Sequence, residues 1–252
     1  MKISIITACF NSAATIRDTF ESVLRQSHAD VEHIVVDGGS RDDTVEIIRE
    51  YAEKYQGRMR WISEKDDGIY YAMNKGIAMA TGDVIGFLNS DDYYFDTEVL
   101  QDIANAFAAY PETDAIHGDL LFINANRKVV RRWKGKEYAP GAFQRGWMPA
   151  HPTFYCRRRC YEQFGSFAPE IGSASDFEHT LRFIEKHRIS TTYISRNFIY
   201  MRAGGSSNSG IGSVLRNTKQ MKQALQIHNL PCPWHFAISR LIRKFITLLP
   251  FQ

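Results

Sequence analysis

The chain has 252 residues, 44% of them hydrophobic and 23% charged, a composition that excludes disorder over most of its length and fits one large α/β domain or two small ones. Its net charge of +3 averages two opposite halves: residues 1–126 hold 10 Lys and Arg against 22 Asp and Glu, and residues 127–252 hold 21 against 6. That division points to a cation site in the first half and to contact with phosphates or a lipid surface in the second, unless it is only uneven solvated surface.

The opening MKISIITACF lacks the length and small-residue cleavage site of a signal peptide, so a cytoplasmic protein is expected. Short apolar runs at 3–7, 31–37, 59–63 and 83–89 read as strands. Between them Ile16, Phe20, Val23 and Leu24 mark one helix face, and Ile47, Ile48 and Tyr51 mark a second behind a capping box at 40–43. Ile69, Met73, Ile77 and Ala80 mark a third. Strands and helices alternating at this spacing predict a mostly parallel sheet with its ligand site beyond the carboxyl ends of the strands. Those ends carry residues 7–11, 37–40 and 89–92. Further on, 115–123 and 129–133 read as a hairpin, 154–156 as a short strand, 176–187 and 212–228 as helices, and 204–210 as a Gly- and Ser-rich loop.

The most informative segment is Asn89-Ser90-Asp91-Asp92, directly after an apolar strand. Adjacent carboxylates in a cleft are tolerated where a cation or hydrogen-bond donors offset them, and Mg²⁺ or Mn²⁺ bridged to a diphosphate supplies that charge. The same residues also suit the cap of a helix beginning near Thr97. Val36-Asp37-Gly38-Gly39 places a carboxylate and two glycines at another strand end, where the backbone can approach a ligand. Neither GxGxxG after the first strand nor GxxxxGK[ST] occurs, which sets aside dinucleotide and P-loop readings. His151, Cys156 and Cys160 match no common zinc spacing.

Five blocks in order, IITACFNSAATI, IVVDGGSRDDTVEII, SEKDDGIYYAMNKGIAMATGDVIGFLNSDD, HPTFYCRRRCYEQFGSF and SASDFEHTLRF, resemble the family 2 glycosyltransferases, especially those of bacterial polysaccharide assembly, over about residues 1–210. The resemblance implies the A-type glycosyltransferase fold, a Rossmann-like, mostly parallel central sheet flanked by helices. It also implies a nucleotide-diphospho-sugar donor, with a lean to uridine, a divalent cation (Mg²⁺ or Mn²⁺), and inversion at the anomeric carbon. Carried over by position, Thr7 and Asn11 line the nucleotide pocket and Asp37 contacts the base. Glu64, Asp66 and Gly68 fall in the donor loop, Asn74 and Lys75 in the helix behind it, and Asp91 and Asp92 in the metal motif. Asp176 matches the general base, though Ser-Asp before an apolar helix also suits an N-cap. A strict DxD motif would begin with Asp at 89, where this chain has Asn89, so either Asp91 or Asp92 is the metal ligand and the other faces ribose. Asp67 stands where relatives often carry lysine, and Tyr71 where they often carry aspartate.

His151 matches a family block and is read either as a structural hydrogen-bonder or as an acceptor or diphosphate contact. Arg202 either closes over the diphosphate or is solvated; Trp147 either packs in the core or forms a platform for a sugar ring. Residues 234–249 alternate apolar and cationic positions at helical spacing, extend roughly 24 Å at 1.5 Å per residue, and suit either a membrane interface or docking on the domain. The expected organisation is one glycosyltransferase domain at 1–232, with a nucleotide-sugar portion at 1–125 and an acceptor side at 126–232, followed by an amphipathic helix at 233–252. Expected partners are a nucleotide-sugar donor, a saccharide or lipid-linked acceptor and the cytoplasmic face of the inner membrane; no nucleic-acid motif accompanies the basic residues. A sugar-nucleotide pyrophosphorylase and a non-catalytic nucleotide- or carbohydrate-binding protein are the alternatives.

Overall fold

The computed structural model describes residues 1–203 and 211–239. Strand β1 (Ile3–Cys9) leads through helix α1 (Ile16–Leu24) to β2 (Val31–Asp37), α2 (Thr44–Lys54), β3 (Met59–Ser63), α3 (Ile69–Met79) and β4 (Val84–Phe87). Every residue of β1 and β2 is buried, as a parallel strand covered on both faces requires. The period-2 alternation then sorts the side chains: Ile3, Ile5, Val31 and Val35 join one core layer, and Ile6, Ala8, Ile34 and Val36 the other. Helices α1 and α2 cover the first layer through Phe20, Val23, Ile47 and Ile48, and α3 covers the second through Met73 and Ile77.

The second half continues the same sheet. It adds β5 (Tyr93–Tyr94), α4 (Val99–Ala109), β6 (Ala115–Ile123), β7 (Val129–Trp133), β8 (Tyr155–Arg157), α5 (Arg158–Phe164), α6 (Ser175–Leu181), β9 (Thr191–Arg202) and α7 (Ile211–Ile227). The nine strands run β3-β2-β1-β4-β8-β6-β9-β5, with β7 on β6. The pairings among β1 to β4 are parallel, whereas β8 is antiparallel to both β4 and β6, and β6 and β9 are parallel. Gly86 in β4 makes the β8 contact possible, because the Tyr155 ring occupies the space a Cβ would fill.

The alternating half of the fold follows its sequence pattern, with three local corrections. The segment 40–43 is no capping box: the Asp42 Oδ1 atom accepts from the Thr44 N–H at 3.1 Å, and Ser40 turns back to Asp37. Asp91 and Asp92 do not cap the following helix, which starts at Val99 behind Glu98. The expected helix 176–187 is α up to Leu181 and then widens into a π-turn at Arg182–Lys186. Strand β9 and helix α5 carry no clear periodicity and were not expected; β9 is half-buried along most of its length, which blurs its alternation.

Of the C-terminal segment, Phe236 is fully buried, with its ring 6.4 Å from that of Phe177, while Trp234 is 85% exposed. Residues 240–252, which hold most of the expected amphipathic helix, and the loop 204–210 lie outside the described residues. Among the described residues no helix is long and apolar enough to cross a membrane.

Candidate functional site

The carboxyl ends of β1, β2 and β4 bring three loops together. At the end of β2, Asp37 is completely buried and its carboxylate accepts the N–H groups of Gly39 (3.1 Å) and Ser40 (3.0 Å), the Ser63 hydroxyl (2.7 Å) and the Ser40 hydroxyl. Gly39 has φ +82° and packs on the Lys65 backbone, a close approach that a side chain would strain. In this arrangement Asp37 shapes the loop instead of presenting a free carboxylate to a base. Asn11, also at positive φ, ties the β1 loop to the same turn: its N–H donates to Ser40 Oγ (2.8 Å) and its Oδ1 accepts from the Arg41 N–H (2.9 Å).

Thr7 does not line a pocket. It is fully buried, and its hydroxyl bonds the Leu88 carbonyl (2.8 Å) and His33 Nε2 (2.9 Å), so its work is to fix β1 against β2 and β4.

The loop after β3 carries Glu64, Asp66 and Gly68. Lys75 of α3 pairs with both acids, at 2.5 Å to Glu64 and 2.6 Å to Asp66. The Asp66 side chain is 5% exposed and its second oxygen, Oδ2, has no hydrogen-bond partner, so an acceptor is left over beside the pocket. Gly68 enters α3 at φ +139°, where nothing crowds it. A cavity of about 460 Å³ opens here, lined by Lys65, Asp66, Asp67, Tyr71, Asn74 and Lys75. Asp67 and Tyr71, two of the three positions read above as departures from the family pattern, are therefore on its wall. Asn74 is committed elsewhere: its amide exchanges two hydrogen bonds with the Phe167 backbone, at 3.0 and 2.9 Å, joining α3 to the second half.

After β4 the two adjacent aspartates separate in role. Asp92 is fully buried; its carboxylate accepts from the Asn89 amide (2.8 Å) and the Arg202 backbone N–H (3.2 Å). Asp91 is half-buried and reaches solvent. Burial raises the pKa of both carboxyls, and the Asp91 charge pushes Asp92 further up. Two carboxylates held together at the cost of desolvation are a site where a divalent cation would relieve the repulsion, so the residues fit Mg²⁺ or Mn²⁺. Asp91 is the carboxylate within reach of such an ion, and Asp92 holds the turn. Such ions take one or two carboxylates and complete their shell with phosphate oxygens and water. Arg202 braces the turn from β9, its Nε donating to the Asp91 carbonyl at 2.9 Å and its guanidinium pairing with Asp18 of α1.

Asp176 lies in the first turn of α6, with Ala174 at the cap position, so it is not the N-cap. It sits beside Tyr70 of α3, whose phenol is pushed up first by burial and then by the Asp176 charge. A carboxylate from the second half is thereby placed against the helix that follows the loop of Glu64 and Asp66.

Two expected contacts belong to the core. Trp147 is 6% exposed and packs edge-on to Phe143 at 5.3 Å, between Tyr138 and His117, so no sugar can stack on it. The His151 ring stacks on Phe87 at 5.2 Å with both nitrogens out of solvent reach and without a partner, and burial lowers its pKa to about 4. It is a neutral packing group here, not an acceptor contact. Conversely, sequence reasoning passed over Asp18 and Arg127, which join Arg202 beside the aspartates. Asp18 has the look of an ordinary first-turn acid and Arg127 of one member of a basic run, so neither carried a distinguishing signal.

Residues 4–171 match the family Glycosyl transferase family 2, and the chain belongs to that family. It is 39% identical over 195 residues to an uncharacterized glycosyltransferase of Mycobacterium tuberculosis, covering 71% of this chain and 68% of that one. It is 28% identical over 208 residues to a PGL/p-HBAD biosynthesis glycosyltransferase of Mycobacterium bovis, covering 82% and 79%. Among solved structures, Staphylococcus aureus TarS 1-349 in complex with UDP-GlcNAc superposes with a TM-score of 0.67 at 20% identity, covering 98% of this chain and 73% of that chain. This chain spans 43% of the longer TarS structure. The mannosyltransferase PcManGT of Pyrobaculum calidifontis, in complex with GDP-Man and Mn²⁺, gives 0.66 at 17% identity, over 97% and 69%. These structures share the A-type glycosyltransferase fold, and this chain has it.

Proposed function

We propose that this protein is an inverting, metal-dependent glycosyltransferase that moves one sugar from a nucleotide-diphospho-sugar, with a lean to uridine, to an acceptor hydroxyl of a saccharide or lipid-linked intermediate in cell-surface polysaccharide synthesis. The observation that carries the reading is the placement of Asp176. It comes from the acceptor side and lies against α3, directly behind the donor loop.

In this mechanism the loops built on Asp37 and Asn11 receive the nucleoside, and Lys75, held by Glu64 and Asp66, faces the cavity beside the sugar diphosphate. A divalent ion on Asp91, when bound, supplies Lewis-acid stabilisation of the departing diphosphate. Asp176, in the first turn of α6, takes the proton from the acceptor hydroxyl as that oxygen attacks C1. Attack opposite the leaving group inverts the anomeric centre. Supporting the metal role are the raised carboxyl pair and the family membership.

Residues 1–232 act as one catalytic domain in this reading, the two portions sharing the sheet. The exposed Trp234 and the cationic positions that follow it are the proposed contact with anionic lipid at the cytoplasmic face of the inner membrane. The deciding experiment is Asp176→Asn in a turnover assay over a panel of nucleotide sugars with Mn²⁺. Transfer should stop while donor binding persists, and wild-type turnover by the variant refutes the assignment.

A further inference from the structure

Beside the aspartate turn, three elements distant in sequence converge on one carboxylate. Asp18, in the first turn of α1, pairs with the Arg202 guanidinium from the end of β9 and takes both oxygens to Arg127, at 2.9 and 3.1 Å, from the turn between β6 and β7. The two guanidinium groups each lie 5.8 Å from the centre of the Tyr93 ring. Arg127 is held there at φ +57°, a conformation costly for a side chain of its kind, by an Asn124 side chain that accepts the N–H groups of Asn126 and Lys128, each at 3.0 Å.

Asp18 is held by two permanent cations at once, and one of them, Arg202, also donates to the carbonyl of the half-buried Asp91. Asp18 accepts from one terminal nitrogen of each guanidinium, charge-assisted contacts that a phosphate oxyanion in that position would also accept.

We infer that Arg127 and Arg202 form a two-arginine clamp for the diphosphate of the donor, and that Asp18 is its internal placeholder, occupying the clamp until a diphosphate displaces it. The inference rests on the donor class proposed above. Asp18 then does two things: it keeps the arginines parked and oriented in the empty enzyme, and it competes with the ligand, which favours release of the nucleoside diphosphate after transfer. It is a positioning residue; its carboxylate touches no reacting atom.

Competition and simple bracing predict opposite signs. Asp18→Asn, measured by calorimetry with inorganic pyrophosphate and with UDP in the presence of Mn²⁺, should tighten binding of both by about fivefold, the size expected from removing one partly exposed like charge. Arg127→Gln should weaken both by about tenfold and flatten the salt dependence of binding. In turnover, Asp18→Asn should lower the donor KM and lower kcat as release slows. Weaker or unchanged pyrophosphate binding by Asp18→Asn overturns the placeholder, as does an Arg127→Gln variant with unaltered affinity. A thermal midpoint for each variant establishes that the folded protein is being titrated. If Asp18→Asn instead changes binding to phosphatidylglycerol vesicles and leaves pyrophosphate unaffected, the clamp serves a lipid headgroup and the inference falls. Pyrophosphate tightened by Asp18→Asn, in a protein that binds no nucleotide, would uphold the clamp and remove the nucleotide-donor reading.

Discussion

Replacing His117 by leucine should make the protein less sensitive to mild acid. His117 lies inside β6 with no exposed surface, its ring 6.0 Å from Trp147 and 5.6 Å from Tyr193, and neither ring nitrogen has a hydrogen-bond partner. Burial lowers its pKa to about 4, with the Asp119 charge opposing. An unfolded imidazole titrates near 6.5, so between about 6.5 and about 4 the unfolded chain binds the extra proton and stability falls as pH falls. The contribution is whole above that window and fully lost below it. Between pH 7.0 and 5.5 one such histidine costs about 1.2 kcal/mol, from 1.36 kcal/mol per pKa unit. The raised Asp91 and Asp92 carboxyls act with the opposite sign, so wild type alone gives a mixed slope. The difference between wild type and His117→Leu cancels them, since the sites are independent. Urea unfolding at both pH values should therefore show the variant gaining about 1.2 kcal/mol on wild type as the buffer moves to 5.5. An equal gap at both pH values would refute the argument, because it would mean that His117 protonates in the folded protein as readily as in the unfolded one.

The remaining expectations concern the site. Asp91→Asn should abolish Mn²⁺ binding detected by calorimetry, at unchanged thermal midpoint in the absence of metal; retained Mn²⁺ affinity would move the ligand role elsewhere. Chelation with EDTA should stop turnover and added Mn²⁺ restore it, whereas full activity in EDTA removes the metal from the mechanism. Trp147→Ala should destabilise the fold by about 3–5 kcal/mol through a core cavity, with an unchanged acceptor KM in whatever protein remains folded; a selective rise in that KM would restore the sugar-platform reading. Deleting residues 233–252 should release the protein from anionic vesicles, and undiminished binding would instead favour a helix docked on the domain.

How far the sequence reaches is visible in particular residues. Strands β1 and β2 were legible because they are covered on both faces and read as unbroken apolar runs, and α1 to α3 because each turns one apolar face inward. Asp91 and Asp92 were legible as a pair, but their division was not, since two adjacent carboxylates look alike until one is buried under Arg202 and the other is not. Thr7 and Asn74 occupy pattern positions and yet bond inward, to His33 and to the Phe167 backbone, because a side chain's partner is set by what the tertiary fold brings opposite it. The histidine of the His-Pro block could be read as reactive only until its ring was found stacked on Phe87. Contacts between residues far apart, such as Arg202 with Asp18, leave no local signature at all.

The position of β8 has a consequence for how the protein is made. This strand lies between β4 and β6, so the edge of the parallel half beside β4 has no partner until residues 155–157 leave the ribosome. Nor is Asp92 capped until Arg202 has been added, 110 residues further on. A nascent chain halted after the first half would present an open strand edge and a poorly satisfied buried acid, both of which favour aggregation over a stable intermediate. The first half is therefore expected to fail as a free-standing fragment, and a split of the chain near residue 126 should recover a folded protein only when both pieces are expressed together.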